Sequence, residues 1–473
     1  MKDNCRGRLR QFFVLTGNFF GNFLIFGGVY MKNIQLSEHF SYRKLFRFTL
    51  PSIAMMIFTS IYGVVDGLFV SNFVGKTSFA AVNFIMPFLQ ILGTVGFMFG
   101  TGGSALIAKT LGEGNADKAK RLFSLFIYVT AACGIVIGAI GMAGIRPIAA
   151  LLGAEGEMLN GCVVYGRLIL LALPFFMLQF EFQSFFVTAE KPQLGLLMTV
   201  ASGVMNMILD ALFMKGFGWG LAGAAAATGI SQTVGAMLAL IYFIRPNTSL
   251  LSLTKTTFDG RALLKASVNG SSELMTGISM SLVSMLYNMQ LMKYAGESGV
   301  AAYGVLMYVG MIFFSAFIGY SVGTAPVIGF HYGAGNHAEL KSLLRKSFVM
   351  IGGFSVCMFA VSEILAAPLA SIFVGYDSEL MHLTLRGFRI FSFSFLLAGV
   401  PIFGSSFFTA LSNGLVSAFI SFLRTLVFQV AAVLTFPLIL GVDGIWVSIS
   451  AAEFMAVLIT VFFIFKLKSK YHY

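Results

Sequence analysis

Residues 201–213 read Ala201-Ser-Gly-Val-Met-Asn206-Met-Ile-Leu-Asp210-Ala-Leu-Phe213. The stretch has the apolar content of a membrane-spanning helix, yet it carries an amide and a carboxylate four residues apart, on one helical face. A carboxylate at the centre of such a helix costs about 2.5 to 3.5 kcal/mol even on insertion-based scales, so it faces a bundle interior, a cavity or a partner. A second acid, Asp66, lies in the first long apolar segment of the core. Together they predict a cation-binding site inside a helical membrane protein.

Composition agrees. The 473 residues are 58% hydrophobic and 11% charged, where an ordinary soluble domain is about 25% charged. Too little charge is present to coat a soluble globule, and the apolar runs are continuous rather than alternating, which excludes a β-barrel. The fold class is an all-α polytopic membrane protein. The net charge of +12 resides in short loops, an orientation signal rather than a nucleic-acid face. Cys5, Cys133, Cys162 and Cys357 have no metal-binding spacing and read as packing residues. The histidines His39, His331, His337, His382 and His472 fall in loops or tails by this reading.

Working outward, twelve apolar segments of spanning length follow one another, at roughly 46–72, 79–108, 121–145, 161–188, 194–214, 221–244, 263–292, 299–329, 346–368, 383–409, 416–439 and 444–466. Most of the 31 Lys and Arg residues collect in alternate loops. These include Lys109, Lys118, Lys120 and Arg121; Lys191; Arg245, Lys255, Arg261 and Lys265; Lys341, Arg345 and Lys346; and Lys466, Lys468 and Lys470. The opposite loops hold few, such as Lys76, Arg146, Lys215, Lys293 and Arg386. Both termini are therefore expected in the cytoplasm of a cell (inner or plasma) membrane protein. The basic, apolar start before Met31 is expected to be an extension outside the functional core.

The chain also repeats. Gly112-x-Gly114-Asn115 recurs as Gly333-x-Gly335-Asn336, an offset of 221 residues (333 − 112 = 221). The same offset aligns Thr188-Ala189 with Thr409-Ala410, Gly220-x-x-Gly223 with Gly441-x-x-Gly444, and Gly75 with Gly296. Two six-helix halves of the same orientation are expected, related by an axis along the membrane normal. The expected organisation is an extension (1–36), a first lobe (37–245), a linker (246–262), a second lobe (263–467) and a tail (468–473).

Intramembrane acids carry the chemistry. They are Asp66, Glu181, Asp210, Glu273, Glu363 and Glu453. By the repeat, Asp66 corresponds to Tyr287 and Asp210 to Ala431, so the acid pair belongs to the first half alone. Pro51 lies a few turns before Asp66 and can kink that helix. Thr228, in the small-residue run Ala224–Gly229, can add a hydroxyl. Asp66, Asn206, Asp210 and Thr228 form an all-oxygen set suited to Na⁺, and two carboxylates in one dry pocket suit a proton. The plainer alternative is a hydrogen-bonded pair pinning two helices. Glu273, Glu181 with Gln183, Tyr287, and Met289 of the Met-rich segment 7 are candidate substrate or second-lobe contacts. Glu363 and Glu453 have no evident partner. No Walker loop or hydrolase motif occurs, so neither ATP drive nor an enzyme is expected.

In combination, Pro51, Asp66, the Asn206-x-x-x-Asp210 pair, Thr228 and the duplicated Gly-x-Gly-Asn loops resemble the multidrug and toxic compound extrusion (MATE) family, over about residues 40–466. The resemblance implies two six-helix lobes in a V. It implies export of cationic or amphipathic small molecules against inward Na⁺ or H⁺, with the cation site at Asp66, Asn206, Asp210 and Thr228. No cofactor beyond the coupling ion and no nucleic-acid partner is expected; the partners are small-molecule substrates and the lipid bilayer, and the protein is expected to be a monomer. A flippase for a lipid-linked precursor is the alternative. It would need a cationic cavity, and the intramembrane basic residues are few, chiefly Arg167, Arg389 and Arg424. A receptor or scaffold without transport stands further off.

Overall fold

Short polar side chains at the edges of the apolar stretches set where the helices begin. The structure, a computed structural model, describes residues 34–473 apart from Gly75 and Tyr376. Nearly all of the expected extension, and Gly75 of the repeat, thus lie outside the described residues. Ser41, Asn115, Asp259, Asn336 and Asp377 each accept a hydrogen bond from a backbone N–H of the turn that follows. This satisfies donors that a helix start leaves open. Such caps carry several helices past the apolar limits read from sequence.

The first lobe comprises α1 (Tyr42–Phe73), α2 (Lys76–Gly112), α3 (Ala116–Leu151), α4 (Gly156–Thr188), α5 (Pro192–Asp210) and α6 (Gly220–Ile244). A π-helical turn, Ala211–Gly216, extends α5. The apolar run Gly260–Gly333 bends at Gly296, where φ is 61° and ψ −154°, a backbone that requires glycine. The bend divides it into α7 (260–295) and α8 (297–333). The second lobe continues with α9 (His337–Val374), α10 (Ser378–Ala410), α11 (Gly414–Leu440, with a π-helical stretch at Leu423–Val427) and α12 (Val442–Tyr471). Among the described residues, eleven helices are long and apolar enough to cross a membrane, and the bend at Gly296 makes twelve spans of them. No strand occurs among the described residues. Pro147 of α3 and Pro368 of α9, also 221 apart, add a further repeat landmark.

The two lobes meet most closely near the end that carries the basic loops. A β-carbon on Gly102 would fall 2.0 Å from the Ala266 carbonyl, and one on Gly270 1.9 Å from the Met98 carbonyl, so α2 and α7 touch backbone to backbone. Gly319 and Gly323 of α8 also approach α1, where a β-carbon would fall 2.5 Å from Ile53 Cα and 3.1 Å from Thr49 Cα. Phenylalanine fills the lobe interiors: Phe123, Phe182 and Phe186 pack around Phe243 with ring centroids 4.8 to 5.7 Å apart. Most of the aromatic bulk is therefore packing.

Three chain segments tie the basic end together. Leu36 N donates to Glu190 Oε1 (2.5 Å) in the α4–α5 turn of the first lobe. Phe40 N donates to Glu339 Oε1 (2.9 Å) at the start of α9, beside the His39–Glu339 contact, and Lys346 Nζ donates to the Phe40 carbonyl. Leu36 and Phe40 are fully buried. The linker lies on the first lobe, where Thr254 N donates to Ser124 Oγ (2.9 Å) and Thr256 Oγ1 to the Arg121 carbonyl (2.9 Å). At the carboxyl end Tyr473 packs on Phe407 with centroids 5.1 Å apart. His331, expected in a loop, is buried within α8 against Phe40, because α8 runs past its apolar stretch to Gly333.

Candidate functional site

Asp210 closes the regular part of α5, and the wider π turn begins at the next residue. Such turns recur at functional sites, because an extra residue re-aims the side chains around it. Asn206 lies one turn earlier on the same face. Both are buried, at 2% and 0% exposure. Asn206 Nδ2 donates to Thr228 Oγ1 of α6 at 3.4 Å. Asp66 of α1 completes the group, its carboxyl facing that of Asp210. The structure thus brings Asp66, Asn206, Asp210 and Thr228 together from three helices. Pro51 lies four turns below Asp66 inside α1, where it withholds a donor from the Arg47 carbonyl without ending the helix.

The hydrogen-bond balance of this group is incomplete. Asp66 Oδ1, both carboxylate oxygens of Asp210 and Asn206 Oδ1 are buried with no donor among the described residues. All four are acceptors. Buried acceptors left unpaired are costly, and a proton or small cation between the carboxyls would satisfy them.

Sequence reasoning passes over Tyr165. It is fully buried on α4, with its hydroxyl beside Thr228 and near both carboxyls, and 3.8 Å from Met86 Sδ. A tyrosine in an apolar helix needs a hydroxyl partner, which was the available signal. Tyr62, one turn before Asp66, lies beside it as well.

The other candidates do not join this group. Glu181 is fully buried on the opposite side of α4, beside Thr130 and against Gly100 of α2. Gln183 lines a small cavity between α4, α5 and α6. In the second lobe Glu273 lies near Arg424, and Arg424 Nε donates to both oxygens of Glu453 at 3.0 and 2.8 Å. Glu363 accepts from Ser392 Oγ at 2.5 Å. Glu363 and Glu453, without evident partners in the sequence, therefore both have one. Tyr287 Oη donates to Gln429 Oε1 (2.7 Å) and stacks on Tyr303. Met289 is 61% exposed, on a stripe with Met285 and Met292 turned away from that lobe's core.

Comparison with known proteins gives one consistent result. The Multidrug export protein MepA of Staphylococcus haemolyticus is 25% identical over 446 residues, covering 93% of this chain and 97% of that protein. Two solved structures share the fold at 21% identity and a TM-score of 0.88. One is an outward-facing multidrug resistance MATE family transporter of the MOP superfamily, matched over 93% of this chain and 99% of its own. The other is a MATE in complex with MaL6, matched over 94% and 100%. The MatE family profile matches residues 51–212 and 274–434, one stretch in each lobe. On a match that spans both halves of the duplication, the chain belongs to the MatE family.

Proposed function

We propose that this protein is a secondary active exporter of cationic or amphipathic small molecules, driven by inward movement of H⁺ or Na⁺. The observation that carries the reading is the facing carboxyl pair, Asp66 and Asp210, with buried oxygens that find no donor outside the pair among the described residues, on two helices of membrane-spanning length within one lobe. Cation binding there satisfies buried acceptors contributed by α1, α5 and α6. It thereby favours one arrangement of α1 over another, and coupling requires that kind of differential affinity. Asp66, Asp210, Asn206 Oδ1 and Thr228 Oγ1 would hold the ion, an all-oxygen set. Kinship with multidrug export proteins supports the substrate class.

The distribution of basic residues among the loops supports cytoplasmic termini. The lobes then close at the cytoplasmic end, and the carboxyl pair lies nearer the outside. A lipid-linked anionic substrate finds little support: Arg424 is committed to Glu453, and Arg167 and Arg389 lie on exposed faces of α4 and α10. The test is efflux of a fluorescent organic cation from proteoliposomes under imposed pH or Na⁺ gradients. Flux indifferent to both gradients would refute antiport.

A further inference from the structure

A line of buried polar groups runs from the carboxyl pair toward the basic end, inside the first lobe. Ser202, Asn206 and Asp210 repeat every fourth residue on α5 and stack on one face. Ser202 Oγ donates to the Ser231 carbonyl of α6 at 2.8 Å, and Ser231 Oγ donates to the Thr228 carbonyl at 2.9 Å. Gln179 Nε2 of α4 donates to Ser202 Oγ at 3.1 Å. Gly235 makes room for that contact, since a β-carbon there would lie 3.1 Å from Ser202 Oγ and 3.3 Å from Gln179 Nε2. Below it, Gln179, Gln183 and Thr199 line the small cavity, which reaches Gly195 in the first turn of α5. Gln183 Oε1 and Asn206 Oδ1, at the two ends of the line, are buried acceptors with no donor among the described residues.

The duplication supplies an internal control. At the corresponding positions the second lobe has Val400 for Gln179, Gly404 for Gln183, Ile420 for Thr199, Leu423 for Ser202, Ile449 for Thr228 and Ala452 for Ser231. Asn206 corresponds to Val427, or to Phe428 when the π stretch of α11 shifts the register by one. The second lobe fills the equivalent interfaces with other polar groups, Ser405 against Ser417 and Ser421 between α10 and α11 and the Arg424–Glu453 pair between α11 and α12, so the line of polar groups at these positions belongs to the first lobe.

We propose that this seam between α4, α5 and α6 is the route by which the coupling proton leaves the Asp66–Asp210 pair for the cytoplasm. The inference rests on the antiport reading above and narrows its coupling ion to H⁺. Ser202, Ser231 and Gln179 are in direct hydrogen-bond contact at 2.8 to 3.1 Å, a spacing suited to passing a proton between groups. Waters bonded to the Asn206 and Gln183 acceptors and to the Ser202 and Gln179 side chains can pass a proton. In the step, the pair loses one proton and becomes more negative by one charge. The proton moves along the waters to bulk water at the cytoplasmic end. Sodium, on this view, cannot substitute at the release step.

The experiment follows proton release to the cytoplasmic side of oriented proteoliposomes with a pH dye after acidifying the outside. The proteins compared are wild type, Asp210→Asn and the double variant Ser202→Ala/Gln179→Leu. The double variant is expected to release protons roughly ten-fold or more slowly, with a larger solvent deuterium isotope effect and unchanged substrate binding at low external pH. Ser202→Thr, which keeps the hydroxyl, is expected to release near the wild-type rate and guards against misfolding as the cause. Wild-type release in the double variant, with none in Asp210→Asn, would overturn the seam and leave antiport standing. Absence of any release from wild type would overturn proton antiport itself.

Discussion

Gly112 and Gly333 occupy equivalent places in the two halves and make equivalent contacts: a β-carbon on Gly112 would lie 2.0 Å from the Phe330 carbonyl, and one on Gly333 2.1 Å from the Lys109 carbonyl. Lys109 and Phe330 are themselves repeat partners. The Gly-x-Gly-Asn duplication is thus a self-complementary contact across the pseudo-twofold axis. Its first glycine allows the approach. Its second, Gly114 or Gly335 at φ 81° and 65°, turns the chain. Its asparagine caps the next helix. Valine at either first glycine should destabilise the closed, basic end by about 1–3 kcal/mol, the cost of overpacking. Spin labels on the α2–α3 and α8–α9 turns should report a wider separation, to similar extents for the two variants. An unchanged distance in Gly112→Val would show that this contact does not hold the lobes.

For the carboxyl pair, Asp210→Asn is expected to insert and fold as wild type does, because an amide is nearly isosteric and easier to bury than a charge. Ion-driven efflux at matched expression should be lost. Asp66→Asn should behave alike, and the double variant should be little worse than either single one, since one site is lost once. Near-normal coupled efflux by Asp210→Asn would move the site elsewhere, with Glu273 the next candidate.

Much of this site is legible in the sequence because two periodicities mark it. Four-residue spacing puts Asn206 under Asp210, and the 221-residue offset shows that neither has a polar counterpart. Twelve spans and two lobes follow from apolar length and the repeat. What meets what is less legible. A helix apolar all round gives no sign of which face turns toward which neighbour. Tyr165 therefore passes for bulk, and the Arg424–Glu453 pair, 29 residues apart on α11 and α12, is invisible until those helices are packed. The π turn after Asp210 has no evident local signature either.

The Arg424–Glu453 pair is buried, with side-chain exposures of 16% and 4%. Arg424→Leu would strand the Glu453 carboxylate and should cost about 3–5 kcal/mol. Arg424→Leu/Glu453→Leu should recover most of that loss, because the stranded Glu453 carboxylate is removed, with Glu273 the one neighbouring acid that still loses Arg424. Thermal unfolding of the two singles and the double in detergent gives the coupling energy. Additive singles would show that the pair does not interact as a unit.

Glu190 offers a pH test at the basic end. Burial pushes its carboxyl above the usual 4.5, against the opposing hydrogen bond from Leu36 N. An acid raised in the folded state contributes stability below its unfolded value and loses it as pH rises through the folded one. Stability should therefore fall as pH rises from about 4.5. Glu190→Gln still accepts from Leu36 N but cannot ionise, so it should remove this slope and be no less stable than wild type at pH 7. A steeper slope in the variant would reverse the assigned sign. Glu190 also stands at φ 60°, so Glu190→Gly should relieve backbone strain and lose the clasp on Leu36 together.

The linker between α6 and α7 is bound to the first lobe through Ser124 and Arg121, and the closest interlobe contacts are made by α1, α2, α7 and α8. The covalent join therefore adds little to the interface itself. Its contribution is to keep two halves at high local concentration. Cut between Thr256 and Asp259 and expressed as two polypeptides, the molecule would behave as a heterodimer whose subunits recognise each other through the surfaces that now hold one chain together.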